Sequence, residues 1–388
     1  MATIIDYLDW RGDLSFEKSP LNEVDGYILC KVGCPEYKGI IPQTGAVSLN
    51  GAVKAFCSTV GEDEAEEALG PLASEFIMPV ITKLPQTERF GKLIAADYES
   101  EIDLVEEEQF SALTIILPDG ARFVTFRGTG DAIVSWKEDF LLCVHDAVPA
   151  QRDALKYLIK QASYNDAKLI VGGHSKGGNM AVYAAMNAPE EIQRRIIAVY
   201  DYDGPGFRQS PYQSAGFLRI KPVLHKYVSQ HTVIGKLLEH EDDCNIVHSY
   251  DFAVGAHDGF TWEVLGTQFV RCEDYSASSK SFEAAFNNTL DGMGDEARRD
   301  FVEEFFAVLT STGADTVSDF TEHRIRQALE LGQGMYKSPE VKDFLQSVLS
   351  IFWQETKNNA KQSAKAAIPR YRLPFGLGDR DKNDRGEK

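Results

Sequence analysis

Residues 168–185, KLIVGGHSKGGNMAVYAA, constrain the fold more than any other stretch of the chain. Leu169, Ile170 and Val171 form a short apolar run of the kind found in a buried strand. A glycine-flanked turn follows at 172–178, and Met180 to Met186 continue as an apolar helix. Within the turn, Gly173-His174-Ser175-Lys176-Gly177 fits G-x-S-x-G, in which small residues on both sides let the backbone bend sharply and lift a serine hydroxyl clear of the sheet. The N–H of Lys176 then points toward a reacting carbonyl, at the positive end of the new helix. The second glycine, Gly178, falls where a helix must pass close to the sheet.

Strands and helices alternate around this turn. Asp119-Gly120 separates two β-rich runs, Leu113–Leu117 and Arg122–Phe126, and reads as a hairpin. A helix over Ala150–Ala162 precedes the strand at Leu169, and further strands are expected at Arg195–Tyr200, Val223–Val228, Asn245–Tyr250 and Gln268–Arg271. This order calls for an α/β fold with a mostly parallel central sheet and helices on both faces. Toward the N-terminus the pattern predicts a short helical start, a charged turn at Asp9–Asp13, a helix near Asn22–Val32 and an amphipathic helix over Leu69–Leu84. Beyond Asp274 the apolar spacing is helical at Ser281–Leu290, Glu296–Leu309, Phe320–Leu331 and Val341–Glu355. The expected organisation is a sheet domain at 1–275, a C-terminal α-helical extension at 276–367, and a flexible tail rich in Pro, Gly and charge at 368–388.

A serine is a poor nucleophile at neutral pH and needs a base, which in turn needs an orienting carboxylate. In the order serine, acid, histidine, the base follows the serine on a loop after a late strand. That removes His145 and His174 and disfavours His323, within the helical stretch. His225 and His248 lie in strand-like runs, and His231 and His240 flank a short helix. His257, in Gly255-Ala256-His257-Asp258-Gly259, is the best-placed base. Asp203 leads for the acid, because it follows the strand ending at Tyr200 and precedes the loop Gly204-Pro205-Gly206. Asp201, Asp251 and Asp258 remain alternatives. Gly128 and Thr129, after the strand ending at Phe126, could supply the second donor of an oxyanion hole beside Lys176.

The Lys176 ammonium itself could favour an anionic substrate, or turn outward to solvent or to Glu138 or Asp139. The six cysteines are scattered, and the spacing of Cys30 and Cys34 does not match a zinc site. With 59 acidic against 40 basic residues the formal net charge is −19, which opposes nucleic-acid binding. No window approaches the about 18 apolar residues of a membrane span, and the N-terminal residues lack a basic leader with an apolar core. The expectation is a cytoplasmic protein with no cofactor or metal.

With these residues in place, the chain resembles the class 3 lipases, whose oxyanion strand ends in F-R-G-[ST] and whose turn reads G-H-S-x-G-G. Here those are Phe126–Thr129, with Trp136 and Asp139 after them, and Gly173–Gly178. More closely it resembles the bacterial Mbeg-like family, a lipase-like domain of unknown function. Its motifs correspond to Tyr7–Leu14, Asn22–Asp25, Trp136–Asp139, the lysine after the serine, Asp203–Gly206, and His257, Asp258 and Trp262, over about residues 1–275. The resemblance implies an α/β-hydrolase fold with Ser175 as nucleophile, His257 as base, and Thr129 and Lys176 as oxyanion donors. Class 3 lipases carry their acid after the next strand, but the stretch Tyr227–Val233 holds no carboxylate, which leaves Asp203 as the substitute. The expected chemistry is cleavage of a carboxylic ester or thioester, with an acyl ester or lipid as substrate. An acyltransferase, a peptidase or a catalytically silent binding protein would keep the same residues or fold.

Overall fold

A computed structural model of the 388-residue chain describes residues 1–59, 77–103, 108–128, 137, 139–209, 211–240, 243–311, 339–348 and 350. Eight strands form one sheet in chain order: β1 (Ala46–Ser48), β2 (Ile94–Asp103), β3 (Glu108–Ile116), β4 (Arg122–Phe126), β5 (Leu169–His174), β6 (Ile196–Tyr202), β7 (Leu224–Ser229) and β8 (Asn245–Val247). β1 through β4 pair antiparallel, and β4 through β8 pair parallel. This is an α/β-hydrolase fold, as expected.

The two-residue alternation of the strands assigns their side chains to two cores. Phe123, Ile170, Ala198 and Tyr200 face one layer, which holds helices α1 (Ile4–Arg11), α2 (Glu23–Val32), α3 (Leu49–Thr59) and α4 (Ile77–Lys83). Val124, Phe126, Val171 and Val199 face the other, packed by α5 (Pro149–Ser163) and α6 (Lys176–Asn187). A third cluster joins Phe140, Leu141, Ile234 and Leu237 to α7 (Ala277–Leu290), α8 (Asp295–Ser311) and the helical segment at 339–348. Phe140 lies 5.6 Å from Phe286 and 5.2 Å from Phe306, each in edge geometry. The C-terminal helices are thereby packed against loops that leave the carboxyl edge of the sheet.

An internal ion pair anchors the N-terminal helices. Asn22 caps α2 by accepting from Val24 N at 3.0 Å, and Asp25 returns a bond by accepting from Asn22 N at 3.0 Å. The Asp25 carboxylate also takes both Nε and Nη2 of Arg89 and the hydroxyl of Tyr7, all fully buried. Arg89 Nη1 and Nη2 reach the carbonyls of Leu14, Ser19 and Pro20. The Tyr7–Leu14 and Asn22–Asp25 motifs thus share one buried polar network.

Several expectations are revised. The strand β2 and the helix α3 are absent from the sequence reading. β2 hides because its register shifts between Ala96 and Glu99, where Asp97 takes a φ of 54°; such a bulge breaks the alternation that marks a strand. The strand expected at Gln268–Arg271 is not part of the main sheet. Gln268–Phe269 instead pairs with Val264–Leu265 in a separate ribbon, and Arg271 bridges back to Val247. β8 stops at Val247, and α1 runs through Arg11 into the turn expected at Asp9–Asp13. Of the helix expected over Leu69–Leu84, Ile77–Lys83 is helical and residues before 77 lie outside the described residues. Phe320–Leu331, the end of Val341–Glu355 and the tail at 368–388 also lie outside them.

Candidate functional site

Ser175 sits between β5 and α6 with φ 59° and ψ −133°, in a region that non-glycine residues rarely occupy. The strain is held in place from both sides. Ser175 N donates to Tyr202 O at 2.9 Å, and Gly178 N donates back to Ser175 O at 2.8 Å. Glycine is required nearby for want of space. A Cβ on Gly173 would collide with the Gly177 backbone, and one on Gly177 with the Phe126 carbonyl. Gly128, past the end of β4, lies against the His174 carbonyl and Ser175 Cβ. The β4 loop therefore passes beside the serine, while Thr129 itself lies outside the described residues, as do Trp136 and Glu138.

The neighbouring strand brings in the carboxylate. β5 and β6 are paired in parallel with His174 opposite Tyr202, and Tyr202 lies opposite Tyr227 of β7. Ser175 and Asp203 each stand one residue beyond this row, so both emerge at the same carboxyl edge. Asp203 has φ 54°, is fully buried and donates its N–H to Tyr227 O at 2.7 Å. Its Oδ2 lies 2.7 Å from His257 Nδ1 and accepts from Thr232 Oγ1 at 3.0 Å. Thr232 belongs to the stretch after β7 that lacks a carboxylate. It contributes a hydroxyl to Asp203 in place of an acid of its own.

The other aspartates are occupied elsewhere. Asp201 accepts from Gly204 N at 2.9 Å and from Lys226 Nζ at 2.6 Å, and burial pushes its carboxyl above the ordinary range. Lys226 also donates to Gly204 O at 2.7 Å, so this pair braces the loop after β6. Asp251 accepts from Phe252 N, and Asp258 accepts from Tyr27 Oη at 3.0 Å and from Phe260 N at 3.2 Å. Asn179 on α6 ties the same loop down by donating to the carbonyls of Pro205 and Gly206, while accepting from Gln151 Nε2 at 2.7 Å.

His257 follows a short helical turn, Ala253–Ala256, and is almost entirely buried. Trp262 Nε1 donates to Ala256 O at 2.9 Å and fixes the residue before it. Against the other side of the histidine lies His174, with ring centroids 4.5 Å apart and Nε2 at 2.8 Å from the His257 carbonyl. Burial, then Lys31 and His257, hold the His174 imidazole well below its ordinary pKa. His174 thus stays neutral. Chain order alone excluded it as the base and missed its contact with His257. Lys31, Tyr27, Thr232 and Asn179 were missed as well, because each reaches the site from a distant part of the chain.

Lys176 is buried, which corrects the solvent-facing alternative. The first turns of α6 run inside the protein, with Lys176 through Val182 all buried. Asp139 is buried too. Among the described residues no group of His, Cys, Asp and Glu is arranged to hold a metal ion, and no helix is long and apolar enough to cross a membrane.

Comparison with known proteins adds a family. No curated protein matches the chain. Among solved structures, the M37 lipase is 15% identical with a TM-score of 0.29, over 42% of this chain and 62% of that one. The lipase from Rhizopus microsporus var. chinensis is 14% identical with a TM-score of 0.30, over 64% of this chain and 89% of that one. The chain thus spans less than two thirds of the length of the M37 lipase. The model of the Mbeg1-like family matches residues 84–307, more than half of the chain and the stretch from β2 into α8, so the protein belongs to the Mbeg1-like family.

Proposed function

We propose that the protein is a serine hydrolase of the lipase and esterase type, which cleaves a carboxylic ester or thioester through an acyl-enzyme on Ser175. The observation that carries this reading is the buried 2.7 Å contact between His257 Nδ1 and Asp203 Oδ2, at the sheet edge where Ser175 occupies its strained turn. A carboxylate beside Nδ1 accepts a hydrogen bond from the Nδ1–H, which keeps the ring proton on that nitrogen and leaves the lone pair on Nε2, the form in which a histidine can act as base.

In the proposed reaction, His257 Nε2 removes the Ser175 hydroxyl proton as Oγ attacks the acyl carbonyl. The N–H groups of Lys176 and Thr129 stabilise the tetrahedral oxyanion. The imidazolium, balanced by Asp203, then protonates the leaving alcohol or thiol. Water, deprotonated by the same histidine, cleaves the acyl-enzyme and releases the acid. The chemistry needs no metal or organic cofactor.

A fluorophosphonate probe tests the nucleophile: wild type is labelled and Ser175→Ala is not. A panel of p-nitrophenyl esters from acetyl to palmitoyl then ranks acyl length, and analysis of the products separates hydrolysis from transfer to another acceptor. Absence of both labelling and turnover in folded wild type would sink the reading in favour of a catalytically silent binding protein.

A further inference from the structure

Helix α2 reaches the loop that carries His257 with two residues one turn apart, Tyr27 and Lys31. Tyr27 Oη accepts from Gly259 N at 2.8 Å and donates to Asp258 Oδ1 at 3.0 Å. Lys31 is buried, and its Nζ lies 3.2 Å from His174 Nδ1. The ammonium also stands over the rings of Tyr27 and Phe260, 5.3 and 5.8 Å from their centroids, and 3.9 Å from Asp258 Oδ1. His174 in turn reaches the His257 carbonyl with Nε2. A continuous polar chain therefore runs from α2, through the residue before the serine, to the main chain of His257.

The direction of each bond follows from the donors available. An ammonium has three protons and no lone pair, so His174 Nδ1 must accept. The single proton of the neutral ring then sits on Nε2, the nitrogen that faces a carbonyl oxygen able only to accept. Protonating His174 would set an N–H against the ammonium and a second cation beside the His257 ring. The titratable groups around the ring are Lys31, His257 and Tyr27, with Asp258 and Asp203 one contact further out.

We propose that Lys31, acting through His174, is a positioning residue for His257. It holds His174 neutral with its proton on Nε2, and that proton fixes the His257 carbonyl so that the ring keeps its place against Asp203. The inference rests on the reading of His257 as the general base. A lysine that merely filled space beside two aromatic rings would have no influence on either histidine.

The test has a spectroscopic arm and a kinetic arm. In ¹⁵N-histidine NMR of the full chain, wild-type His174 should show an unprotonated Nδ1 and a protonated Nε2 at neutral pH and should keep that form through the usual imidazole transition at about pH 6.5. In Lys31→Met, which removes the cation that bars a proton from Nδ1, His174 should take up a second proton at a higher pH than in wild type, and the Nδ1–H signal of His257 should broaden or shift. With p-nitrophenyl butyrate as probe, kcat of Lys31→Met should fall on the order of ten- to a hundred-fold with KM little changed, as small misplacements of a catalytic group do. Lys31→Arg, which keeps a charged donor, should recover most of the loss. His174→Gln, whose amide can place an N–H near the Nε2 position, should retain more activity than His174→Phe.

A wild-type His174 that carries its proton on Nδ1, or that titrates near its ordinary pKa, overturns the proposal even where Lys31→Met does not fold. A folded Lys31→Met with unchanged kcat and unchanged His257 resonances does so too. If wild type shows no Ser175-dependent turnover, the hydrolase reading fails, while the tautomer and the response of the His257 signal still decide whether Lys31 positions that residue.

Discussion

His257 Nδ1 and Asp203 Oδ2 meet at 2.7 Å across 54 positions of chain, and Thr232 Oγ1 holds the same carboxylate oxygen at 3.0 Å. The carboxylate in contact with His257 follows β6, one strand earlier than the family resemblance would place an acid, and the loop after β7 supplies a hydroxyl to it. Removal of the two groups should therefore have graded effects. Asp203→Asn should lower kcat by ~10⁴-fold, the loss associated with a wrong histidine tautomer. Thr232→Val removes one hydrogen bond to a charged group, worth about 1.5–3 kcal/mol, and should cost on the order of ten- to a hundred-fold. Steady-state turnover of one short-chain ester measures both, and a near-normal kcat in Asp203→Asn would reject Asp203 as the acid.

Backbone strain at Ser175 predicts a trade between stability and function. A non-glycine residue at φ 59° and ψ −133° stores about 1–3 kcal/mol, which glycine does not incur. Glycine also raises unfolded-chain entropy by about 0.4–1 kcal/mol, so Ser175→Gly should unfold at or slightly above the wild-type temperature. Ser175→Ala keeps the strain and should not. Both lose fluorophosphonate labelling. Thermal unfolding of the three proteins side by side checks the order.

The Asp25–Arg89 pair should be essential to the N-terminal layer. Neither side chain is exposed, and Arg89 donates to four carbonyls as well as to the carboxylate. Breaking a buried pair leaves an uncompensated charge and costs about 3–5 kcal/mol. Arg89→Met should fall in that range, and Tyr7→Phe, which removes one bond to the carboxylate, should cost about 1.5–3 kcal/mol. Denaturant midpoints measured at constant slope would show it.

His174 predicts part of the acid sensitivity. Its folded pKa is depressed by burial, Lys31 and His257, so the unfolded chain binds a proton there before the folded one does. The contribution is present above the unfolded value of about 6.5 and is lost as pH falls below it, by up to ~1.4 kcal/mol per pH unit. Replacing the group with one that does not titrate, as in His174→Gln, should flatten the fall in stability below about pH 6.5 relative to wild type. An unchanged slope in chemical denaturation would show that His174 is not held neutral.

The strand, turn and helix around Ser175 were legible because they are local. Gly173 and Gly177 mark a bend that only small residues fit, and the apolar run before them has the length of a buried strand. His257 and Asp203 were legible as candidates through order along the chain, since each follows a strand and precedes a glycine-rich break, and the structure brings the two into contact. β2 was not legible, because its pairing with β1 and β3 rather than its own alternation makes it a strand. The ribbon strand at Gln268 was misplaced for a related reason, as a short β-rich run carries no record of which partner it joins.

The amino-acid sequence by itself determined the hydrolase-type architecture, the position of the sharp turn and a short set of candidate partners for its serine. Where those candidates stand depends on the register of β5, β6 and β7, which sets Ser175 and Asp203 at one edge and turns Asp201 toward Lys226. The same holds for Lys31, which reads in the sequence as an ordinary helix lysine. Its role depends on a contact with a residue 143 positions away. Local patterns record steric needs that neighbours in the chain impose, whereas hydrogen-bond partners across a sheet edge exist only once the strands have been brought together.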